Sequence, residues 1–234
     1  MSSRTGWIGI AAAAVVAVAG CGGGDDGGSR AAESDRPSEP QRTSAAPSPS
    51  APSPSASSPS APAANRLSPA DLQGRWWTWA ASEEASTNPV ADEDGRSCHR
   101  NQPDDVWFLA GTFGGQVERA CTVPSGRPVA FPLINLVGGS ADCADFMETA
   151  SGTASLDGRD ISPDRYPGTT ITVTAAPGNP VTDSSGRFSG TGCGLWVQLP
   201  ALKAGKHTLK IRGRSADFTV AVDYALTVAA PGTA

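Results

Sequence analysis

The pattern of hydrophobic and polar positions divides the 234-residue chain into three parts. An apolar run near the N-terminus gives way to a polar stretch without apolar periodicity. Short apolar and alternating segments then recur between turns that contain Gly or Pro. We therefore divide the chain into residues 1–20, 21–66 and 67–234, and only the last part has the pattern and length of a domain with a core.

The domain-sized part begins with a helix signature. Ser68 stands at the N-cap position, Pro69 at the first helical position and Asp71 in the first turn. Apolar residues at helical spacing share one face and are usually core residues. On that face are Leu72, Trp76 and Trp79. Trp77 lies off it, so we expect Trp77 to be exposed and regard it as a candidate contact for a carbohydrate ligand.

Strand signals dominate the rest of the domain. Asp157-Gly158 is typical of a tight hairpin turn. The segments with strand character are 106–110, 116–123, 129–134, 170–174, 195–199, 207–212 and 218–228. Many short strands with little helix predict an all-β fold, a β-sandwich or jelly roll with a short N-terminal helix.

The N-terminal apolar run has the parts of a secretory signal. Arg4 supplies the positive charge, and Trp7–Ala19 is too short to span a bilayer as a helix. Val18-Ala19-Gly20-Cys21 resembles the lipobox of bacterial lipoproteins, in which the cysteine is acylated and becomes the new N-terminus. The resemblance implies lipidation of Cys21 and display on the outer face of the cell membrane. Ordinary secretion with Cys21 unmodified is the alternative.

Residues 21–66 have the composition of a tether. Gly, Ser, Ala and Pro dominate, and such a stretch cannot bury enough apolar surface to offset its ordering entropy. We expect a disordered spacer that reaches on the order of 100 Å from the membrane. Abundant Arg, Ala and Gly beside only three lysines are typical of a high-G+C bacterium, here a Gram-positive one.

Four cysteines remain in the domain: Cys98, Cys121, Cys143 and Cys193. An even count outside the cytoplasm predicts two disulfides. Zinc binding is the alternative, but the spacings lack the paired short repeats of structural zinc sites. Three connectivities are open, and we favour Cys98–Cys121 with Cys143–Cys193 because each joins neighbouring cysteines.

The charge of the domain limits its partners. Acidic and basic residues balance over residues 1–66, so the net charge of −5 belongs to the domain. No basic run is present, and we therefore expect no nucleic-acid partner.

Several segments of the domain are similar to a family of secreted or lipid-anchored bacterial proteins. They include Trp77-Thr78-Trp79-Ala80, Val106-Trp107-Phe108-Leu109-Ala110-Gly111, Cys121-Thr122-Val123-Pro124-Ser125-Gly126, Phe131-Pro132-Leu133-Ile134-Asn135, Gly205-Lys206-His207-Thr208-Leu209 and Tyr224-Ala225-Leu226-Thr227-Val228. The similarity covers nearly the whole domain, and it implies no particular activity. The stretch between Asn135 and Gly152 is shorter here than in that family.

Candidate chemical groups are few. A nucleophile needs a base beside it, and the only histidines are His99, next to Cys98, and His207, at the start of a strand where we expect a structural role. No nucleophile elbow, zinc-protease helix or phosphate-binding glycine loop is present. These observations favour a protein that is not an enzyme.

Two places in the domain have polar residues that are candidates for ligand binding. Asn88, Asp92 and Asp94 place oxygens in one loop, as a calcium site does, but the closing glutamate of an EF-hand is missing. A solvated acidic turn is the simpler interpretation. Asn135 follows an apolar segment and precedes Gly138-Gly139, so we expect it in a loop, where it either contacts a ligand or caps a turn.

The sequence thus favours a lipid-anchored surface protein whose domain binds a cell-envelope glycan or protein and needs no cofactor, with a calcium ion in the 88–94 loop as the alternative. Two alternatives remain open. One is an enzyme that uses carboxylates on envelope polysaccharide, and the other is a purely structural envelope protein.

Overall fold

The computed structural model describes residues 66–230 and Gly232, and in this part of the chain the fold is a two-sheet β-sandwich with a helix packed on one side. The signal peptide, Cys21 and nearly all of the tether lie outside the described residues. Within these residues, no helix combines the length and apolar character needed to cross a membrane.

The described chain alternates long strands with two short helices. The helices are α1 (Pro69–Ala80) and α2 (Ser140–Thr149). The strands are β1 (Trp107–Phe108), β2 (Gly115–Val123), β3 (Val129–Gly138), β4 (Ser151–Leu156), β5 (Arg159–Ile161), β6 (Asp164–Ala175), β7 (Gly186–Leu199), β8 (Gly205–Ser215) and β9 (Phe218–Val228).

The strands form two sheets. The four-stranded sheet has the order β1-β3-β7-β6, and the five-stranded sheet has the order β2-β9-β8-β4-β5. The predicted all-β sandwich is therefore confirmed. Most neighbouring strands are antiparallel, but β1 pairs with β3 and β2 pairs with β9 in parallel.

Helix α1 begins as its sequence predicts. The Ser68 hydroxyl accepts a hydrogen bond from the Asp71 amide at 3.1 Å, which satisfies one of the free N–H groups of the first turn. The apolar face packs on the four-stranded sheet, where the Trp76 and Trp196 rings meet edge to face with centroids 5.6 Å apart. Trp76 Nε1 also donates to the Leu109 carbonyl at 3.0 Å, so its polar atom is satisfied inside the core.

Residues 192–197 of strand β7 are buried on both faces, which explains the continuous apolar run there. Cys193, Leu195 and Val197 belong to the core between the two sheets. Trp196 points to the other side, into the core beneath α1. The four-stranded sheet is thus the middle layer of a three-layer arrangement.

The two sheets approach each other closely at a glycine. A Cβ atom on Gly213 of β8 would lie 2.0 Å from the Leu133 carbonyl oxygen, so no other residue fits there without moving the backbone. Leu133 lies at an irregularity in the pairing of β3 with β7, between Pro132 and Ile134.

The hairpin between β4 and β5 has the predicted turn. Asp157 has a φ of 52° and Gly158 a φ of 77°, the left-handed conformations that a tight two-residue turn requires.

Both predicted disulfides are confirmed. Cys98–Cys121 joins the loop before β1 to β2, and Cys143–Cys193 joins α2 to β7, with Cα–Cα distances of 5.9 and 5.8 Å. Helix α2 itself was not predicted. The sequence signals for this helix are weak. Gly139 at the N-cap position has no side-chain oxygen that could accept a hydrogen bond, and only Cys143 and Met147 are buried, so the apolar face is narrow.

Candidate functional site

A groove of about 660 Å³ runs between α1 and β6. Residues from three parts of the fold line it, and most of them have polar side chains. These are Asp71, Arg75, Thr78 and Trp79 of α1, Ser82, Asn101 and Pro103 of the following loop, and Thr170, Thr172, Thr174 and Arg187 of β6 and β7. We call this the α1–β6 groove.

The groove exists because α1 lies along the outer edge of β6. The Thr174 amide donates to the Thr78 hydroxyl at 3.1 Å, and the Ala176 amide donates to the Ala81 carbonyl at 2.8 Å. Gly74 allows the close approach, since a Cβ there would lie 3.1 Å from the Thr172 carbonyl oxygen. The helix thereby covers an edge strand that would otherwise offer free backbone groups.

Three exposed threonines of β6, Thr170, Thr172 and Thr174, are among the residues that line the groove. Ile171 and Val173 are buried beneath α1, so the threonines between them are exposed. Arg187 lies opposite Thr174 on β7 and is also exposed. Among the residues described, no hydrogen bond or ion pair engages the Arg187 guanidinium, which leaves its donors for a ligand.

The opposite wall is held in place by polar contacts. Arg75 forms an ion pair with Asp105, and the hydrogen bond from this guanidinium lowers the pKa of the Asp105 carboxyl group. Asn101 Nδ2 donates to the Ser82 hydroxyl at 3.0 Å. The groove thus offers hydroxyl groups, an amide and the Arg187 guanidinium. These groups can form hydrogen bonds with a ligand that carries many hydroxyl groups.

Trp77 does not contribute to this groove, and the expectation that it is exposed was wrong. Its exposed fraction is 8 %, and its ring packs edge to face on Trp76 with centroids 5.2 Å apart. The core beneath α1 includes Val90 and Val106 from the loop after the helix, so α1 is enclosed on more than its sheet-facing side. Helical spacing alone does not show such a second covering segment.

Asn135 lies inside β3, not in a loop after it, because the strand continues to Gly138. It pairs with Gly194 of β7, whose added Cβ would lie 2.9 Å from the Asn135 Cβ. Asn135 Nδ2 is buried and has no hydrogen-bond partner among the described residues. The residue does not line the α1–β6 groove.

The three candidate calcium ligands share one loop, but each makes its own contacts with protein groups. Asn88 Nδ2 donates to the Ala80 carbonyl at 2.8 Å, and Asp92 Oδ2 accepts from the Ser97 amide at 2.8 Å. Asp94 binds the Arg96 guanidinium, and this hydrogen bond lowers the pKa of its carboxyl group.

Within residues 66–230, no three or more His, Cys, Asp or Glu side chains are grouped so that they could hold a metal ion. A calcium ion in the 88–94 loop stays a prediction. A melting temperature that a chelator leaves unchanged would contradict it.

One functional candidate not expected from the sequence is a buried arginine. Arg119 has an exposed fraction of 2 %, and among residues 66–230 no carboxylate forms an ion pair with it. Its guanidinium donates to the carbonyls of Val90, Asp92, Ala110 and Gly111 and to the Tyr224 hydroxyl. A charged residue at an inward position of an alternating strand is the signal that could have identified it.

His207 has the structural role that its sequence context predicts. Its Nδ1 lies 2.7 Å from Asp157 Oδ2, and its Nε2 lies 2.8 Å from the Lys203 carbonyl oxygen. Both neighbours are acceptors, so both contacts are made when the ring carries two protons. The hydrogen bond with Asp157 accordingly raises the pKa of His207 and lowers that of Asp157. His99 is exposed and next to the disulfide-bonded Cys98.

Two carboxylates occupy neighbouring positions on the outer face of the five-stranded sheet. Glu118 of β2 and Asp223 of β9 lie in register on neighbouring strands. Asp223 Oδ1 is 2.6 Å from Arg212 Nη2, so this carboxylate is part of an ion pair.

Comparisons with known proteins assign neither a family nor a function to this chain. No protein-family model and no curated protein matches the chain. The solution structure of Amebosin is similar to 49% of this chain and 96% of its own, with 13% sequence identity. Its TM-score of 0.20 is too low for any conclusion about fold or function.

Proposed function

We propose that this chain is a lipid-anchored protein of the outer face of a bacterial cell membrane, and that its β-sandwich binds an envelope glycan without catalysis. The observation that carries the binding proposal is the α1–β6 groove, an open, polar depression of about 660 Å³. Cys21 is the proposed site of lipidation, and residues 21–66 are the proposed tether.

Two features support export. The sandwich contains two disulfides, and such bonds persist in oxidising compartments outside the cytoplasm. The Val18-Ala19-Gly20-Cys21 sequence supplies a site for acyl chains, and two or more chains anchor a protein firmly where one binds only marginally. A tether on the order of 100 Å would hold the groove away from the lipid surface.

The lining of the groove supports a glycan as the ligand. Three threonines of β6 recur at every second residue, about 7 Å apart, along one wall. Sugar hydroxyls both donate and accept hydrogen bonds, as threonine hydroxyls do. Arg187 adds free donors at one end of the same wall. A long, open groove also admits a chain ligand that extends beyond it.

Isothermal titration calorimetry of the full-length protein in detergent, with oligosaccharides released from bacterial envelope polysaccharide, tests this function. We expect the Thr172→Ala and Arg187→Ala variants to bind about three- to tenfold more weakly, since each loses a hydrogen bond worth about 1 kcal/mol. Thr227→Ala is the matched control, because Thr227 is an exposed threonine of β9 on the other sheet. The proposal fails if no envelope oligosaccharide binds, or if groove and control variants bind alike.

A further inference from the structure

Strand β8 carries a column of basic side chains on its outer face. Leu209 and Ile211 point into the core, so the residues between them point to solvent. Four of the five outward positions from 206 to 214 are basic: Lys206, Lys210, Arg212 and Arg214. The alternation hides this column from a search for basic runs along the sequence.

The Arg214 end of the column lies among hydroxyl groups. Arg214 stands between Ser151 of β4 and Thr219 of β9 in the strand register. A shallow hollow of about 430 Å³ lies here, which we call the basic trough. Its lining residues are Ser151, Gly152, Thr153, Arg212, Gly213, Arg214, Thr219 and Val220.

The two arginines of the trough differ in their partners. Arg212 is held by the ion pair with Asp223 and by a hydrogen bond from its Nη1 to the Val222 carbonyl oxygen at 3.2 Å. Arg214 is exposed, and among the described residues no hydrogen bond or ion pair engages its guanidinium. Arg214 therefore offers a full set of donors, whereas Asp223 balances the charge of Arg212.

The charges around the trough favour an anion. The outward acidic residues on the strands of this sheet are Asp160, Asp223 and Glu118, and all lie in the cross-strand row of Lys210. Asp217 lies beyond Arg214, in the turn between β8 and β9. The rows of Arg212 and Arg214 contain only neutral neighbours. The Arg214 end of β8 is therefore positively charged, although the domain as a whole has a net charge of −5.

We propose that the basic trough is a second binding site, and that it binds an acidic polysaccharide. A guanidinium pairs with a carboxylate through two parallel hydrogen bonds, and the hydroxyls of Ser151 and Thr219 suit the sugar hydroxyls beside it. Lys210, Arg212 and Arg214 recur about 7 Å apart along β8, which suits a chain with repeated negative groups. Single-stranded nucleic acid is the less suitable chain, because the trough lining has no aromatic ring on which a base would stack.

The trough is separate from the α1–β6 groove, which lies against the four-stranded sheet. Only the choice of an envelope polymer as the natural ligand rests on the proposed export of the sandwich. Variants in the groove and in the trough therefore test the two binding proposals independently.

The experiment uses the full-length protein in detergent with a decameric oligogalacturonate as the probe. A dextran decamer is the neutral control, and a single-stranded DNA decamer is the alternative polyanion. We expect binding of the oligogalacturonate that weakens as salt rises, and no binding of dextran. Arg214→Ala should weaken binding about tenfold, because a hydrogen-bonded charged pair is lost, and Arg214→Glu should abolish it.

Arg159→Ala is the matched control, because Arg159 is an exposed arginine of β5 on the same sheet and lines neither the trough nor the groove, and it should bind the oligogalacturonate as the natural chain does. Melting temperatures of the Arg214 variants should be unchanged, because this side chain is exposed and pairs with no residue in the described part of the chain. The proposal is overturned if the natural chain does not bind the oligogalacturonate or if the Arg214 variants bind it equally well. It is also overturned if the DNA decamer binds as tightly.

Discussion

Arg119 and Tyr224 stand side by side in the parallel pairing of β2 with β9, and the Arg119 guanidinium donates to the Tyr224 hydroxyl at 3.0 Å. Tyr224 in turn donates to the Ala110 carbonyl at 2.8 Å and accepts from the Ala110 amide at 3.1 Å. The pair therefore fastens the segment after β1 to the five-stranded sheet. Arg119 also binds the carbonyl of Asp92, which ties the 88–97 loop to the same point.

Substitution of either partner should destabilise the sandwich. Arg119→Lys cannot reach all of the buried carbonyls with one ammonium group, and we expect a loss of about 2–4 kcal/mol in the free energy of unfolding. Tyr224→Phe leaves the Ala110 amide without a partner and should cost about 1–2 kcal/mol. Urea unfolding of the full chain measures both. Unchanged stability in Arg119→Lys would show that the buried network contributes little.

The His207–Asp157 pair should make stability depend on pH. The raised pKa of His207 means that its contribution is complete below the ordinary value of 6.5 and is lost as pH rises through the folded-state pKa. The lowered pKa of Asp157 means that its contribution is complete above 3.8 and is lost as pH falls through its folded-state pKa. The pair therefore stabilises most between pH 3.8 and 6.5. For a pair this exposed, the contribution should be at most about 1 kcal/mol.

Thermal unfolding at pH 5 and pH 9 measures this dependence. We expect His207→Gln to lower the melting temperature at pH 5 and to lower it less at pH 9. His99→Gln is the matched control, since His99 is the other histidine of the chain and is exposed. An equal effect of His207→Gln at both pH values would contradict the charged pair.

The two disulfides should differ slightly in how much they contribute to the free energy of unfolding. Cys143–Cys193 closes a loop of 50 residues and Cys98–Cys121 a loop of 23. Loop-closure entropy gives about 4 kcal/mol for the first and about 3.5 kcal/mol for the second. Double Cys→Ala variants of each pair, compared by urea unfolding, should both be destabilised, the first somewhat more. A variant as stable as the natural chain would contradict the contribution of its bridge.

The parts of the fold that the sequence predicts are those whose signals are local. Ser68-Pro69 sets the start of α1, Asp157-Gly158 sets a hairpin turn, and the alternation in 218–228 gives β9 with the bounds that the structure shows. Whether two paired strands run parallel or antiparallel does not follow from the local sequence. The parallel pairing of β2 with β9 follows from the path of the chain, which no periodicity encodes.

The candidate sites were harder to predict for the same reason. Burial of Trp77 depends on a loop that returns over α1, and the basic trough depends on which strands flank β8. Lys206, Lys210, Arg212 and Arg214 become one column only when the strand turns alternate residues to solvent. The α1–β6 groove joins residues about 100 positions apart, such as Thr78 and Thr174.

The proposed anchor gives a direct cellular test. Cys21→Ala removes the thiol that would carry the acyl chains, so the protein should move from the membrane fraction to the soluble extracellular fraction. Cys21→Ser is a second variant without the thiol and should behave alike. Continued membrane association of both variants would mean that something other than Cys21 holds the protein there.

Mass spectrometry of the mature protein from its natural host tests the lipid-anchored display most directly. We expect an N-terminal peptide that begins at Cys21 and carries the added mass of a diacylglyceryl group. An N-terminal peptide that begins at Met1, or one that contains Cys21 with an unmodified thiol, would contradict it.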